Sequence, residues 1–254
     1  MARKRPSGRA WVPNSLTTMN LVCGFLAILI SMDRFRRPAV DLAAFDASCW
    51  LILAAGVFDL LDGKVAKLLK VTSPFGMKMD SFADMVTFGL APAVLMRCTF
   101  LRPGSLPWHL DLAACGAYFL GAVFRLAKYN VSTHAQGYGF SGLPSPGAAA
   151  TVVGFFMVAR NHPFPPGVAA LVVALTGVLM CSRVPYPGFK GNTRGENFFI
   201  AGLVATLLLL MIPFGPARMI FWTMAVYDVF LGWFWVRMRP RWAKPPRGRR
   251  SAQA

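Results

Sequence analysis

The chain has 254 residues, 56% of them hydrophobic and 15% charged, and a net charge of +17. So apolar a composition excludes an ordinary soluble globular protein and places the chain in a bilayer. A basic excess of this size can signal nucleic acid, but its distribution along the chain fits a membrane surface, and no nucleic-acid partner is expected.

In chain order, residues 1–12 form a basic segment with Arg3, Lys4, Arg5 and Arg9, too polar to build a core. The first span is expected over the charge-free run from Asn14 to Met32, close to the ~20 residues a helix needs to cross the hydrocarbon. It is too long for a cleavable signal peptide, and no small-residue cleavage site precedes Asp33. Further spans are expected at about 41–58, 85–96, 112–124 and 142–159, then from Phe164 to Ser182, from Asn197 to Ala217, and at about 219–236. Continuous apolar runs such as Leu171 to Leu179 and Leu203 to Leu210 exclude the period-two alternation of a transmembrane barrel. The expected fold is all-α, a polytopic transmembrane bundle of about eight spans over residues 13–238, followed by a basic tail at 239–254. The longest polar connections are expected at Val71 to Met79, Asn130 to Ser141 and Arg183 to Asn197.

With a cytoplasmic N-terminus and eight spans, Arg34, Arg36, Arg37, Arg97, Arg102, Arg160 and Arg218 fall on the outer side, and the other twenty of the 27 Lys and Arg on the inner side. This satisfies the positive-inside rule and puts both termini in the cytoplasm, with the protein multi-pass in the cell membrane. The cluster from Arg34 to Arg37 is the piece that fits this rule poorly. A basic inner face attracts anionic head groups at about 1 kcal/mol per residue, so membrane lipids account for the charge. Cys23, Cys49, Cys98, Cys115 and Cys181 show neither metal nor redox spacing and read as small buried hydrophobes. No internal repeat is evident, which argues against the inverted-repeat transporters.

Only ten residues are acidic, and four of them, Asp59, Asp62, Asp80 and Asp84, crowd the ends of the second and third expected helices. Spacings of three and four put each pair on one helix face. Unpaired carboxylates at membrane depth are expensive, so a convergence of four needs cations. Lys64 and Lys67 can supply part of that charge. Hard oxygen ligands without a nearby His or Cys suit Mg²⁺, Mn²⁺ or Ca²⁺ rather than zinc. Two such ions, typically about 3.5–4 Å apart, can clamp the attacking and leaving oxygens of a phosphoryl displacement. Spacing alone leaves open two other arrangements: aspartates that cap helix ends and pair with the lysines, and an ion pathway in a transporter.

The residues between the aspartates narrow the choice. Asp59-Leu-Leu-Asp62-Gly63-Lys-Val-Ala66-Lys67, then eight residues, Gly76, three residues, Asp80, three residues and Asp84, resembles the D-x-x-D-G-x-x-A-R…G-x-x-x-D-x-x-x-D signature of the CDP-alcohol phosphatidyltransferases. Every spacing matches. Lys67 stands where the family has Arg, which keeps the charge and loses the bidentate fork. Pro13-Asn14-Ser-Leu-Thr17-Thr-Met-Asn20, the run from Asp80 to Pro92, Arg125-Leu-Ala-Lys128-Tyr-Asn130, Gly142-Leu-Pro144-Ser-Pro146 and the run from Val184 to Lys190 are similar to the membrane-embedded phosphatidylserine synthase branch of bacteria and archaea.

That resemblance implies transfer of a phosphatidyl group from CDP-diacylglycerol to L-serine, with two divalent cations, Mg²⁺ or Mn²⁺, and often a homodimer. It implies Asp59, Asp62 and Asp80 as metal ligands, and Asp84 both as a ligand of the second metal and as the acceptor of the serine hydroxyl proton. Gly63, Ala66, Lys67 and Gly76 are the expected contacts of the CDP-lipid, although small residues at 63 and 66 also suit close helix packing. Arg125, Asn130 and Lys190 are candidates for the acceptor site, because serine needs a donor for its carboxylate; anchoring at the cytoplasmic face is the competing role for Arg125 and Lys190. Another acceptor (glycerol 3-phosphate, inositol phosphate or choline) would use the same chemistry, and an ion-coupled transporter is the alternative from a different class. Gly142, Pro144 and Pro146 shape the start of a helix, and neither Asp228 nor His109, His134 and His162 stand in a pattern that suggests chemistry.

Overall fold

A computed structural model describes residues 11–37, 42–69, 74–132, 142–161 and 164–182. Seven α-helices are found among them: α1 (Trp11–Phe35), α2 (Asp46–Leu68, preceded by a 3-10 turn at Leu42–Phe45), α3 (Pro74–Asp84), α4 (Ala91–Cys98), α5 (Trp108–Ser132), α6 (Ser145–Ala159) and α7 (Pro166–Cys181). A π-helical stretch, Met85–Leu90, joins α3 to α4, so that Phe75–Cys98 is one continuous helix of 24 residues. No strand occurs among the described residues. Four helical runs are long and apolar enough to cross a membrane, Pro13–Phe35, Leu42–Ala66, Phe75–Cys98 and Trp108–Asn130, whereas α6 and α7 are shorter apolar helices. At about 1.5 Å per residue, a run of 23 or more spans about 35 Å, enough for the ~30 Å hydrocarbon core. The spans expected at 197–217 and 219–236, the segments 1–10 and 239–254, and Lys190 lie outside the described residues.

Several boundaries move outward from the expected ones, for one reason: charged residues end an apolar run in sequence without ending the helix. The second span, expected to stop near 58, continues through Asp59 and Asp62 to Leu68. The third, expected from 85, starts at Pro74, a residue that suits a first turn because its missing N–H is not needed there. Asp80 and Asp84 are therefore helical, and the connection expected over Val71 to Met79 is shorter. The fourth, expected to end near 124, runs to Ser132, which places Arg125, Lys128 and Asn130 on its last turns rather than in the connection expected from Asn130. In each case the polar side chains find partners on neighbouring helices, described below, so the backbone need not leave the helix.

In the bundle α1 lies along α2 and also touches α3, the π-helical stretch and α4, while α5 lies along α7. Two close approaches depend on glycine. A methyl group at Gly24 of α1 would collide with Thr87 of the π-helical stretch, and one at Gly121 of α5 would collide with the Gly177 carbonyl of α7. The π-helical stretch disrupts the ordinary backbone ladder. Tyr118 donates from its hydroxyl to the Phe88 carbonyl at 2.8 Å, and the Thr87 hydroxyl donates to the Asn20 carbonyl at 3.1 Å. Leu29 and Met32 on α1, Phe82 on α3 and Leu112, Leu120 and Phe124 on α5 remain exposed. In a bilayer these face the lipid tails. An aromatic cluster of Phe45, Phe100, Phe155, Phe156 and Phe164, with ring centres 5.7–6.3 Å apart, fills one end of the bundle. The carboxylates occupy the other end.

Candidate metal and substrate centre

The last turns of α2 carry Asp59 and Asp62, and the middle of α3 carries Asp80. One carboxylate oxygen from each of the three lies within 4.8 Å of the others. Asp62 is buried, and Asp59 and Asp80 are half-buried. Asp84, one turn beyond Asp80, interacts electrostatically with Asp59, Asp80 and Asp62 and, with opposite sign, with Arg125. All four expected acids are thus brought to one place. Like charges this close repel by about 1 kcal/mol even in water, and more where the surroundings are less polar. The donor set, carboxylate oxygens with no His or Cys among the described members, fits a hard divalent cation.

Helix α1 supports this cluster from behind. The buried Thr17 hydroxyl donates to Asp62 Oδ2 at 2.8 Å, and the fully buried Asn20 donates from Nδ2 to Asp84 Oδ1 at 3.4 Å. Thr17 and Asn20 are three residues apart, so they share a face of α1. Helix α5 closes another side. Its Asn130 donates from Nδ2 to the Ser81 hydroxyl at 3.1 Å, and its Arg125 donates from Nη1 to the Ser145 hydroxyl at the start of α6 at 2.8 Å. Ser81 sits between the expected ligand Asp80 and Asp84, so Asn130 contacts the same helix that carries those acids, while Arg125 acts on Asp84 electrostatically.

Gly63 is exposed, and a methyl group there would meet nothing within 4 Å. Helix packing therefore does not require glycine at this position. Ala66 and Gly76 are half-buried, on the last turns of α2 and the first turn of α3. Lys67 continues α2, Lys64 is exposed, and Lys190 is outside the described residues. Thr17, Asn20, Ser81 and Ser145 were not singled out as site residues from the sequence. The available signal was polarity at helical spacing inside an apolar span, because polar groups in a membrane helix turn toward the bundle interior.

The CDP-alcohol phosphatidyltransferase family model matches residues 10–184, a stretch that contains the four acids and every residue placed around them above. The chain belongs to this family. Its membership makes it a transferase, and the D-x-x-D-G-x-x-A…G-x-x-x-D-x-x-x-D resemblance is that of a true member with Lys67 as a variant position. The chain is 30% identical over 235 residues to the CDP-diacylglycerol--serine O-phosphatidyltransferase of Helicobacter pylori strain J99, covering 91% of this chain and 90% of that protein. It is 32% identical over 182 residues to the archaetidylserine synthase of Methanothermobacter thermautotrophicus, covering 71% of each. Similarity to the CDP-diacylglycerol--serine O-phosphatidyltransferase of Mycobacterium tuberculosis strain H37Rv is 28% over 223 residues, with 81% of this chain and 72% of that protein covered.

Proposed function

We propose that this family member transfers the phosphatidyl group of CDP-diacylglycerol to L-serine, releasing CMP and forming phosphatidylserine. The observation that carries the reading is the convergence of Asp59, Asp62 and Asp80 within 4.8 Å, with Arg125 near Asp84, in a chain whose relatives include enzymes named for this reaction. Asp59, Asp62, Asp80 and Asp84 would hold two divalent cations, Mg²⁺ or Mn²⁺. When bound, these supply charge stabilisation for the diphosphate and for the departing CMP.

The chain's own residues do the rest. Exposed Gly63 and half-buried Ala66 leave room along α2 for the cytidine diphosphate, with Lys67 and Gly76 beside it. Exposed Leu60, Leu61, Phe75 and Phe82 on the same helices let the acyl chains stay in lipid. Arg125 receives the serine carboxylate, Asn130 fixes its approach, and Lys190 adds positive charge. Asp84, oriented by Asn20, takes the serine hydroxyl proton as the oxygen attacks the phosphorus bonded to diacylglycerol. The bond from that phosphorus to the CMP oxygen breaks, and CMP leaves. Both termini face the cytoplasm, the bundle reaches eight spans through residues 197–217 and 219–236, the catalytic domain covers 13–238, and the protein pairs as a homodimer. Reporter fusions after each span and light scattering of the detergent complex test these last points.

The deciding assay is CMP release from CDP-diacylglycerol by the purified full chain with Mg²⁺ or Mn²⁺. Serine-dependent release abolished by EDTA is the expected result. Release with glycerol 3-phosphate, inositol phosphate or choline in place of serine overturns the acceptor, and no release with any of them from folded protein overturns the enzyme.

A further inference from the structure

The helix ends opposite the carboxylates carry a second concentration of charge that phosphatidyl transfer does not use. Arg34 lies in the last turn of α1 and Arg36 and Arg37 follow it, Arg97 lies in the last turn of α4, Arg102 lies between α4 and α5, and Arg160 follows α6. Every Lys and Arg of the described residues at this end is an arginine; the eight lysines of the chain all lie elsewhere in the expected topology. A role limited to topology or solubility would not distinguish the two residues. Binding phosphate does, because the planar guanidinium meets its oxygens two at a time.

Only part of this charge is neutralised internally. Arg37 pairs with Asp33 at 3.2 Å, and Arg160 pairs with Asp46 at the start of α2. Asp111 is fully buried in the first turn of α5, and Asp41 adds one more carboxylate in the sequence between α1 and α2. Arg97 is occupied with the Leu101 carbonyl. Arg34 has a buried Nε without a hydrogen-bond partner, Arg36 is exposed, and the Arg102 guanidinium sits 5.4 Å from the Phe35 ring centre, which brings it to the same corner as the end of α1.

Beneath this corner the surface is apolar. Leu29 and Met32 are exposed on α1 and share a helical face with Arg36 at spacings of three and four. Trp108, 73% exposed, starts α5 shortly after Arg102 in the chain, and tryptophan anchors helices at the membrane–water boundary. Cations at the rim with an apolar wall below them match a molecule with a phosphodiester head and acyl tails, and not a free phosphate. We propose that Arg34, Arg36, Arg37 and Arg102 form a binding site for an anionic glycerophospholipid of the leaflet opposite the carboxylates. It lies about 25 Å along α1 from Thr17, which separates it from the substrate lipid.

The test uses the full chain in neutral detergent, titrated with phosphatidylglycerol or with phosphatidylcholine and read by native mass spectrometry. The wild type is expected to retain phosphatidylglycerol in preference to phosphatidylcholine. The combination Arg34→Gln, Arg36→Gln and Arg102→Gln is expected to weaken phosphatidylglycerol binding on the order of a hundredfold, about fivefold for each arginine, with CMP release in neutral micelles unchanged. A matched combination in the tail, Arg247→Gln, Arg249→Gln and Arg250→Gln, is expected to weaken phosphatidylglycerol binding less than the first combination does. Equal loss in both combinations, loss in neither, or no preference in the wild type overturns the site. If the first combination fails to fold, Arg36→Gln alone decides the question: a loss of about fivefold supports the site, and unchanged binding overturns it.

Discussion

The two ends of the bundle handle charge in opposite ways. At one end Asp59, Asp62 and Asp80 stand within 4.8 Å of each other, and Thr17, a neutral donor, is the hydrogen-bond partner of Asp62. At the other, Asp46 and Asp33 are each met by an arginine, above an interlocked set of phenylalanines. The Arg160–Asp46 pair holds the end of α6 to the start of α2, whereas carboxylates this close push their helices apart. The acidic end is therefore an arrangement that stability alone would not select, and clusters of this kind are kept where a ligand or a reaction needs them. Changes at the acidic end should cost activity more than stability, and changes at the opposite end the reverse.

Four substitutions test that contrast, from the largest effect down. Asp84→Asn keeps the shape and removes the proton acceptor, and kcat should fall by about 10²–10⁴ while the thermal midpoint holds or rises as repulsion is relieved. A fall in midpoint with activity intact would reverse the assignment of the two ends. Thr17→Val removes the donor that orients Asp62. The Mg²⁺ or Mn²⁺ concentration for half-maximal activity should rise about 10–100-fold, as for other groups that hold a ligand from behind, and kcat at saturating metal should change little. Gly24→Ala forces a methyl group against Thr87 and should lower stability by about 1–3 kcal/mol, read as a shifted thermal midpoint in detergent; it also moves the α1 face that carries Asn20, so activity should fall with it. Arg160→Gln breaks the half-exposed pair with Asp46 and should lower stability by about 1 kcal/mol or less, with CMP release unaltered.

The carboxylate centre was legible because its members lie close in sequence on two consecutive helices, at spacings of three and four, and because their type is rare in an apolar chain. The supporting residues were not, since each belongs to a helix remote in sequence from its partner: Thr17 meets Asp62 across 45 positions, and Asn20 meets Asp84 across 64. The helix ends were misplaced by the same gap in information. Asp62 ends an apolar run when the chain is read one residue at a time, but in the bundle its charge is turned toward α1 and the helix continues.

The family came from the resemblance of the residues around the aspartates to a known signature, whereas composition and the apolar runs were enough for a helical membrane protein, and the spacing of the aspartates for a cluster of four acids. The last two depend on transfer of side chains out of water and on helical periodicity, both of which are local. Only the tertiary structure decided that Ser81 faces Asn130, that Arg125 reaches Ser145, that a π-helical stretch turns Thr87 against Gly24, and that Arg102 closes on Phe35 at the end of α1. These contacts depend on how helices far apart in sequence rotate and slide against one another. That choice is made by interlocking shapes and hydrogen bonds between helices, because in a bilayer the lipid is as apolar as the side chains and hydrophobicity alone gives no preferred rotation.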